Sequence, residues 1–295
     1  MLHMTFYSLP FTPERPQATE ARLEKIYEAA KFGLKGDSLA LAAGLTPAQY
    51  RRLSEFDPLV EMAEMKGRAD GEMTAAHRYT LDRLAAEPGR LLVVCAAATS
   101  DAVPAEIAER CDALIWKALP GFDFSAYGIA LRHLAAVSPG CDAFVMNDSV
   151  LGPFASPAAA LADAPWDLAG FTGSWLFENH IQSYAFQLRE VTPGRVAALA
   201  PVLSRRTAFN RYMDVVICQE TRLARVAART MRVGARFFVA DRVAHNPSLH
   251  HAAMLARAGV PFIKRSLLTH YAAFQDRTEI AAIVAGHGHP LPEGA

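Results

Sequence analysis

From Arg90 onward the chain alternates short apolar runs with segments of helical spacing, and this alternation constrains its fold more than any other feature. Short continuous apolar runs are typical of strands that are buried on both faces of a mainly parallel sheet. The segments between them, such as residues 104–110 and 125–136, are long enough to be crossover helices. The sequence therefore predicts an α/β domain with a mainly parallel sheet and helices on both faces. The predicted strands are residues 91–95, 113–116, 143–146, 168–171, 184–188 and 237–239.

The part of the chain before this domain has the pattern of helices only. Asp37 and Thr46 are each placed to cap a following helix, because a side-chain oxygen can accept a hydrogen bond from an unpaired backbone N–H. Gly44 ends the first of these helices, and Pro47 occupies the first turn of the second. A further helix over about residues 73–86 precedes the first strand. We therefore divide the chain into a helical N-terminal region (1–72), the α/β domain (73–285) and a flexible tail (286–295).

The composition narrows the function and the location. The 30 Lys and Arg side chains balance 30 Asp and Glu, so the formal net charge is zero. This balance excludes a strongly basic nucleic-acid-binding protein and a highly charged disordered chain. The 4 cysteines are dispersed, with no C-x-x-C pair, which favours free thiols in a reducing compartment. Since the sequence has no secretory signal and no apolar run of about 18 residues, we expect a cytoplasmic protein whose membrane association, if any, is peripheral.

Three consecutive oxygen-bearing side chains, Asn147, Asp148 and Ser149, come directly after the predicted strand 143–146. In an open α/β sheet, ligands bind at the carboxyl ends of the strands. Asp148 is therefore a candidate ligand of Mg²⁺ or Mn²⁺, since Mg²⁺ takes one or two protein carboxylates and completes its shell with water and phosphate oxygens, and Mn²⁺ also prefers oxygen ligands. The alternative is a strand-to-turn transition in which Asp148 or Ser149 caps backbone groups.

Other candidate groups follow neighbouring strands. Asp123 comes just before a predicted helix, where a carboxylate either caps the helix or binds a sugar hydroxyl. Glu178 and His180 lie in a stretch rich in hydrogen-bonding and aromatic side chains, a mixture that carbohydrate sites need and that a surface loop also has. Either of the two could act as a general base. Lys264 and Arg265 could neutralise a diphosphate or begin a solvated helix.

In chain order, these elements resemble the rhamnan synthesis protein F family, whose members are bacterial glycosyltransferase-like proteins of cell-surface polysaccharide assembly. The resemblance covers about residues 76–270 and is carried by several short blocks. They are G-F-D-F from Gly121, N-D-S-x-x-G-P from Asn147, G-F-T from Gly170 with H-I-Q-S-Y from His180, N-P-S from Asn246 and P-F-I-K-R from Pro261.

This resemblance implies a nucleotide-sugar fold of the GT-A type in which Asn147, Asp148 and Ser149 bind a metal ion and the diphosphate. Asp123 would lie beside the nucleotide or the donor sugar, and residues 180–184 would line the acceptor side.

The implied reaction transfers a sugar, with rhamnose as one candidate, from a nucleotide diphosphate donor. The acceptor would be a cell-surface polysaccharide or a lipid-linked saccharide, at the inner face of the membrane. Mg²⁺ or Mn²⁺ on Asp148 would offset charge on the leaving diphosphate, with help from Lys264. His180 or Glu178 would deprotonate the acceptor hydroxyl.

Two features depart from the family's pattern. Lys117 and Leu119 stand where the family usually has an Arg and an Asn before the Gly-aromatic-Asp element. Residues 59–65 stand where the first strand of the family should lie, and their pattern favours a helix.

Residues 36–53 resemble the helix-turn-helix of phage terminase small subunits and related DNA-binding modules. Gly44 permits a tight crossing of two helices, and Thr46 would begin the recognition helix. Residues 1–75 contain 9 Lys and Arg against 11 Asp and Glu, a net charge of 9 − 11 = −2, so nucleic acid is not the expected partner. The alternative function is a catalytically impaired glycosyltransferase-like protein that binds DNA or a protein partner through these helices. The helices could equally form a hairpin that covers one edge of the sheet.

Overall fold

The structure is a computed structural model that describes Lys25 and residues 36–56, 73–97, 99–118, 121–175, 178–203, 208–209, 212–238, 246–269 and 271–292. The chain divides into two compact units, Met1–Met73 and Thr74–Ala295. Residues 59–65, where the sequence favours a helix, lie outside the described residues, as does Leu119. None of the described helices is long and apolar enough to cross a membrane.

In the first unit, two helices meet at a tight turn. They are α1 (Gly36–Ala42) and α2 (Pro47–Phe56). Gly44 has a φ of 71°, which its lack of a Cβ permits, and it ends α1 with backbone hydrogen bonds from Gly44 N to Leu41 O and from Leu45 N to Ala40 O. Thr46 and Gln49 then form a capping box: Gln49 N donates to Thr46 Oγ1 (3.2 Å) and Thr46 N donates to Gln49 Oε1 (2.9 Å).

The second unit contains the sheets and the remaining described helices. The described helices are α3 (Ala75–Ala85), α4 (Ala105–Ala108), α5 (Asp123–Val137), α6 (Pro157–Leu161), α7 (Pro193–Ala198), α8 (Tyr212–Val215), α9 (Thr221–Ala227), α10 (Pro247–His250), α11 (Ala252–Arg257) and α12 (Arg277–Gly286). A π-helical stretch, Val216–Glu220, joins α8 to α9, and short 3₁₀ turns cover Ser100–Ala102, Arg265–Leu268 and Ala272–Phe274. The strands are β1 (Leu92–Ala96), β2 (Ala113–Lys117), β3 (Cys141–Met146), β4 (Val150–Leu151), β5 (Leu168–Ser174), β6 (His180–Ile181), β7 (Ala185–Val191), β8 (Val233–Phe238) and β9 (Ile263–Lys264).

The largest described sheet is mixed, so the prediction of a mainly parallel sheet is confirmed only in part. Among the described residues, β1 and β2 pair in parallel, and β5 pairs in parallel with β8. The pairs β3–β7, β5–β7, β5–β6 and β4–β9 are all antiparallel. For β5 and β6 the reason is their short connection: only residues 175–179 separate the two strands, too few for a crossover to a parallel partner.

The larger sheet is buried on both faces. Successive residues of a strand point to opposite faces, and on β7 Ala185 and Phe186 belong to different apolar clusters. The Phe186 cluster includes Leu131 of α5 and Leu223 of α9. The opposite cluster, with Ala185, contains Phe171 of β5 together with residues of α6 and α11. Helices therefore cover both faces of this sheet.

The chain beyond α12 differs from the flexible tail that the sequence predicts. His289 is only 3% exposed, and its ring lies 4.4 Å, centroid to centroid, from that of Tyr79 in α3. Tyr79 also donates a hydrogen bond through its hydroxyl to the carbonyl of His287 (3.0 Å). Aromatic packing and this hydrogen bond therefore hold residues 287–289 against the domain.

Gly152 offers a test of the close packing beside β4. Its φ is 122°, and a Cβ at this position would lie 2.3 Å from the carbonyl oxygen of Pro261. We expect Gly152→Ala to lower the free energy of unfolding by about 3 kcal/mol, because strain and a backbone clash add together. Gly140 has a φ of 88° but no atom within 4 Å of the added Cβ, so Gly140→Ala should lose about 1 kcal/mol. Urea denaturation measures both, and equal losses would contradict the described packing.

Candidate functional site

The turn after β3 meets the first residue of α5. Asn147 follows β3, and its Nδ2 donates a hydrogen bond of 2.5 Å to Oδ2 of Asp123. Asp123 opens α5, whose preceding residue Phe122 provides no side-chain cap. The carboxylate of Asp123 is therefore turned to Asn147 and does not cap its own helix.

The backbone turn that follows β3 is held by Asn147. Its Oδ1 accepts hydrogen bonds from the backbone N–H of Ser149 (3.1 Å) and from the hydroxyl of Ser149 (2.6 Å). The sequence left a capping role open for Asp148 or Ser149, and in the structure Asn147 has it. Asp148 is exposed, and the described part of the chain provides no hydrogen bond or ion pair to its carboxylate. This carboxylate is available to a ligand.

Lys264 brings a positive charge to the same place. Strands β4 and β9 pair Val150 with Lys264, so the lysine lies opposite the end of the turn. Its Nζ donates to Oγ of Ser149 (3.2 Å) and lies 4.7 Å from the centre of the Tyr184 ring. Burial lowers the pKa of Lys264, an effect that the nearby carboxylates of Glu220 and Asp123 oppose. We call Asp123, Asn147, Asp148, Ser149 and Lys264 the Asp123 cluster.

The charges of this cluster act on one another. Burial raises the pKa of Asp123 to about 6, and the negative charge of Asp148 contributes to the rise. The hydrogen bond from Asn147 and the charge of Lys264 oppose it. Two acids and one lysine therefore share a partly buried site, which is a common feature of ligand-binding and catalytic centres.

Arg265 adds a second cation beside the cluster. Its backbone N–H donates to the carbonyl of Ser149 (3.0 Å), which places the residue next to the turn. Its Nε atom is buried, and the described residues offer it no hydrogen-bond partner.

A buried hydrogen-bond network supports the cluster through the hydroxyl of Tyr184. Thr172 Oγ1 donates its one hydrogen to Gln182 Oε1 (2.7 Å). The hydroxyl of Tyr184 lies 3.0 Å from Thr172 Oγ1 and must therefore be the donor of that hydrogen bond. Gln182 Nε2 in turn donates to Asn246 Oδ1 (2.8 Å) and to Ser248 Oγ (3.0 Å). The G-F-T, H-I-Q-S-Y and N-P-S blocks therefore meet in one network, which fixes the Tyr184 ring beneath Lys264.

Glu178 and His180 form a second group. The carboxylate of Glu178 pairs with Arg225 of α9 (Nε to Oε2, 3.2 Å), and the carbonyl of Glu178 accepts a hydrogen bond of 2.7 Å from Nδ1 of His180. Within the described residues no hydrogen bond joins these two side chains to the Asp123 cluster. The ion pair occupies the carboxylate of Glu178, whereas the described residues provide no hydrogen-bond partner to Nε2 of His180.

Both groups lie at the same edge of the sheet. Strands β3 and β5 are each antiparallel to β7, so they run in the same direction, and Asn147 and His180 both lie near their carboxyl ends. The segment 180–184 connects the groups, and four extended residues span at most about 14 Å.

Two residues near the cluster escaped the sequence analysis. The hydroxyl of Tyr127 donates to the carbonyl of Ser183 (3.0 Å), and the carboxylate of Glu220 accepts a long hydrogen bond from Ser183 N (3.4 Å). Burial raises the pKa of Tyr127, with Asp123 contributing. Tyr127 stands one helical turn after Asp123, and that spacing was the available signal. Glu220 is the last residue of a π-helical stretch, which no pattern in the sequence predicts.

The donor atoms of the cluster fit only one kind of metal site. The described residues contain no group of three or more His, Cys, Asp or Glu side chains that could enclose an ion. One free carboxylate, that of Asp148, suits a hard divalent ion that takes its other ligands from water and phosphate oxygens.

Comparisons with protein-family models, with curated proteins and with solved structures find no match to this chain. An assignment of function therefore depends on the residues and contacts described above.

The raised pKa of Asp123 predicts a pH-dependent cost to stability. Since the pKa of Asp123 in the folded protein lies above its ordinary value of 3.8, the folded state binds more protons than the unfolded state between about pH 4 and pH 6. The free energy of unfolding falls as the pH rises through this window, and the loss is complete above it. Asp123→Asn removes the ionisable group and keeps an acceptor for Asn147, so it should stabilise the protein at pH 7.5 by about 2 kcal/mol and have little effect at pH 4.

Urea denaturation of wild type and variant at the two pH values measures this difference. Asp101→Asn, at an exposed aspartate, controls for the loss of one negative charge. An equal effect of Asp123→Asn at both pH values would contradict the raised pKa.

Proposed function

We propose that this chain is a glycosyltransferase that uses a nucleotide diphosphate sugar as its donor and has a GT-A-like fold. The observation that carries the proposal is the Asp123 cluster, where a free carboxylate, a hydroxyl and a half-buried lysine meet at one edge of a mixed sheet. The resemblance of residues 76–270 to the rhamnan synthesis protein F family points to the same chemistry. We further propose that the acceptor is a cell-surface polysaccharide or a lipid-linked saccharide, with rhamnose among the candidate donor sugars, and that the protein works in the cytoplasm at the inner face of the membrane.

The cluster suits a diphosphate because of where its charges lie. Lys264 Nζ donates to Oγ of Ser149, the backbone N–H of the cation Arg265 donates to the Ser149 carbonyl, and Asp148 precedes Ser149 in the same turn. A diphosphate bound here would receive charge-assisted hydrogen bonds from the two cations, which are stronger than neutral ones. Asp148 would hold Mg²⁺ or Mn²⁺, which supplies a Lewis acid for the phosphate oxygens when bound.

The residues of the chain would then divide the work of an inverting transfer. An acceptor hydroxyl forms a bond to the anomeric carbon, and its proton passes to Nε2 of His180. The bond between that carbon and the diphosphate oxygen breaks, and the electron pair leaves with the diphosphate. Lys264 and Arg265 stabilise this negative charge as it develops, which is commonly the largest contribution to such a rate. Glu178, through its carbonyl, orients the imidazole.

Removal of the Asp148 carboxylate separates its functional role from any structural one. Asp148→Ala should leave the melting temperature within about 1 °C of wild type, because the side chain is exposed and the described residues make no hydrogen bond to it. It should lower Mn²⁺-dependent hydrolysis or transfer of a nucleotide sugar by about 100-fold or more. A panel of dTDP-rhamnose, UDP-glucose and GDP-mannose serves as donors, and Asp101→Ala is the matched control. Equal turnover by Asp148→Ala and wild type would remove Asp148 from the mechanism.

The helix-turn-helix geometry of α1 and α2 favours a second candidate, binding of DNA or a protein partner. The turn has both the glycine-ended helix and the capping box of a stable helix pair, and Arg51 of α2 is exposed. A gel-shift titration at low salt, set beside a thermal-shift assay with nucleoside diphosphates, discriminates between the functions. A DNA shift without any response to nucleotides would favour the second candidate.

A further inference from the structure

A cavity of about 320 Å³ lies beside β6, away from the contacts of the Asp123 cluster. Its walls include Asn179, His180, Arg225 of α9, Ala228 directly after α9, and Phe238 of β8. The volume is at the lower end of the range of about 300–1,000 Å³ that is usual for small-molecule sites.

One polar atom in this cavity wall is left available by its surroundings. The carbonyl of Glu178 can only accept, so Nδ1 of His180 carries the hydrogen of their 2.7 Å bond. In the neutral ring, Nε2 is then a lone-pair acceptor. His180 is 8% exposed and lines the cavity, and the described residues provide no partner for Nε2.

The charge of the cavity wall is balanced. Arg225 is its only charged residue in the described chain, and Glu178 neutralises it through two contacts, Nε to Oε2 at 3.2 Å and Nη2 to Oε1 at 3.3 Å. An anionic ligand therefore finds no free cation there. Phe238 is 45% exposed and its ring lies 5.3 Å, centroid to centroid, from that of Trp175, so it adds an aromatic surface to the cavity wall.

We propose that this cavity binds a small neutral saccharide, with a sugar hydroxyl donating to Nε2 of His180 and the face of the sugar ring against Phe238. A saccharide offers both hydroxyl donors and an apolar ring face, and this wall offers an acceptor, the amide of Asn179 and an aromatic ring. The inference deepens the proposed function and rests on it for the role of this saccharide as the acceptor.

The connection between cavity and cluster is consistent with that role. The segment 180–184 lines the cavity with His180 and Ile181, and its last two residues contact the cluster region, where Ser183 binds Tyr127 and Tyr184 lies beneath Lys264. A saccharide in the cavity would thus lie one short extended segment from the donor site.

The experiment titrates the full chain with methyl α-L-rhamnoside and methyl β-D-glucoside in the absence of nucleotide. The readout is the amide NMR signals of Gly173 and Gly234, which both line the cavity and are present in every variant. We expect saturable shifts with a dissociation constant in the millimolar range for at least one of the glycosides.

Ala228→Trp should block the cavity and weaken the binding at least about tenfold. Its matched control is Ala258→Trp, because both alanines are exposed residues that cap the C-terminus of a helix, and Ala258 is not part of the cavity wall. His180→Phe, which keeps a ring and removes the acceptor, should weaken binding to a similar extent. Unchanged binding in Ala228→Trp and His180→Phe, or no saturable shift in wild type up to about 100 mM glycoside, would overturn the inference.

The same titration with Asp148→Ala keeps the two proposals apart. This variant should bind the glycoside as wild type does, since Asp148 is not in the cavity wall. If wild type does not bind the glycoside but turns over a nucleotide sugar in a way that depends on Asp148, the saccharide cavity is refuted and the proposed transferase is not. Glycoside binding without any turnover of nucleotide sugar would support the cavity and refute the proposed transferase.

Discussion

The side chain of Asn147 holds the candidate site together. Its amide nitrogen donates to Asp123 at the start of α5, and its amide oxygen accepts two hydrogen bonds from Ser149. One planar group therefore joins the end of β3 to a helix and shapes the turn that carries Asp148. Because Asn147 makes the hydrogen bonds that a turn needs, Asp148 does not have to make them and stays available. An Asp at position 147 would lose the donor to Asp123 and place a third negative charge beside two others.

Around this amide, charges of opposite sign are arranged at some cost to the fold. Burial opposes ionisation of both Asp123 and Lys264, and each charge partly relieves the other. The network of Thr172, Gln182 and Tyr184 gives the lysine a rigid aromatic support, with the hydroxyl hydrogen of Thr172 and both amide hydrogens of Gln182 donated. Such a preorganised group of charges is suited to a ligand that brings both phosphate charge and a cation.

Much of this site could be predicted from the sequence, because strand ends can be read from apolar runs. The run at 143–146 ends where β3 ends, so Asn147, Asp148 and Ser149 were placed at a strand end from the sequence. The pairing of the strands could not be predicted, since residues 175–179, three apolar followed by two polar, give no sign of whether they form a hairpin or lead into a crossover. Local spacing also left open whether Asp123 caps α5, because its partner Asn147 lies 24 residues away. The same holds for Glu178, whose ion pair with Arg225 spans 47 residues and distinguishes it from His180.

The proposed function requires that a metal ion and a diphosphate bind together at the Asp123 cluster. The most direct measurement is a crystal structure of the protein with Mn²⁺ and, in turn, uridine, guanosine and deoxythymidine diphosphate. We predict an anomalous manganese peak at the carboxylate of Asp148, with diphosphate oxygens directed to Lys264 and Arg265. Manganese and diphosphate at any other place, or no binding of any of the three nucleotides, would contradict it.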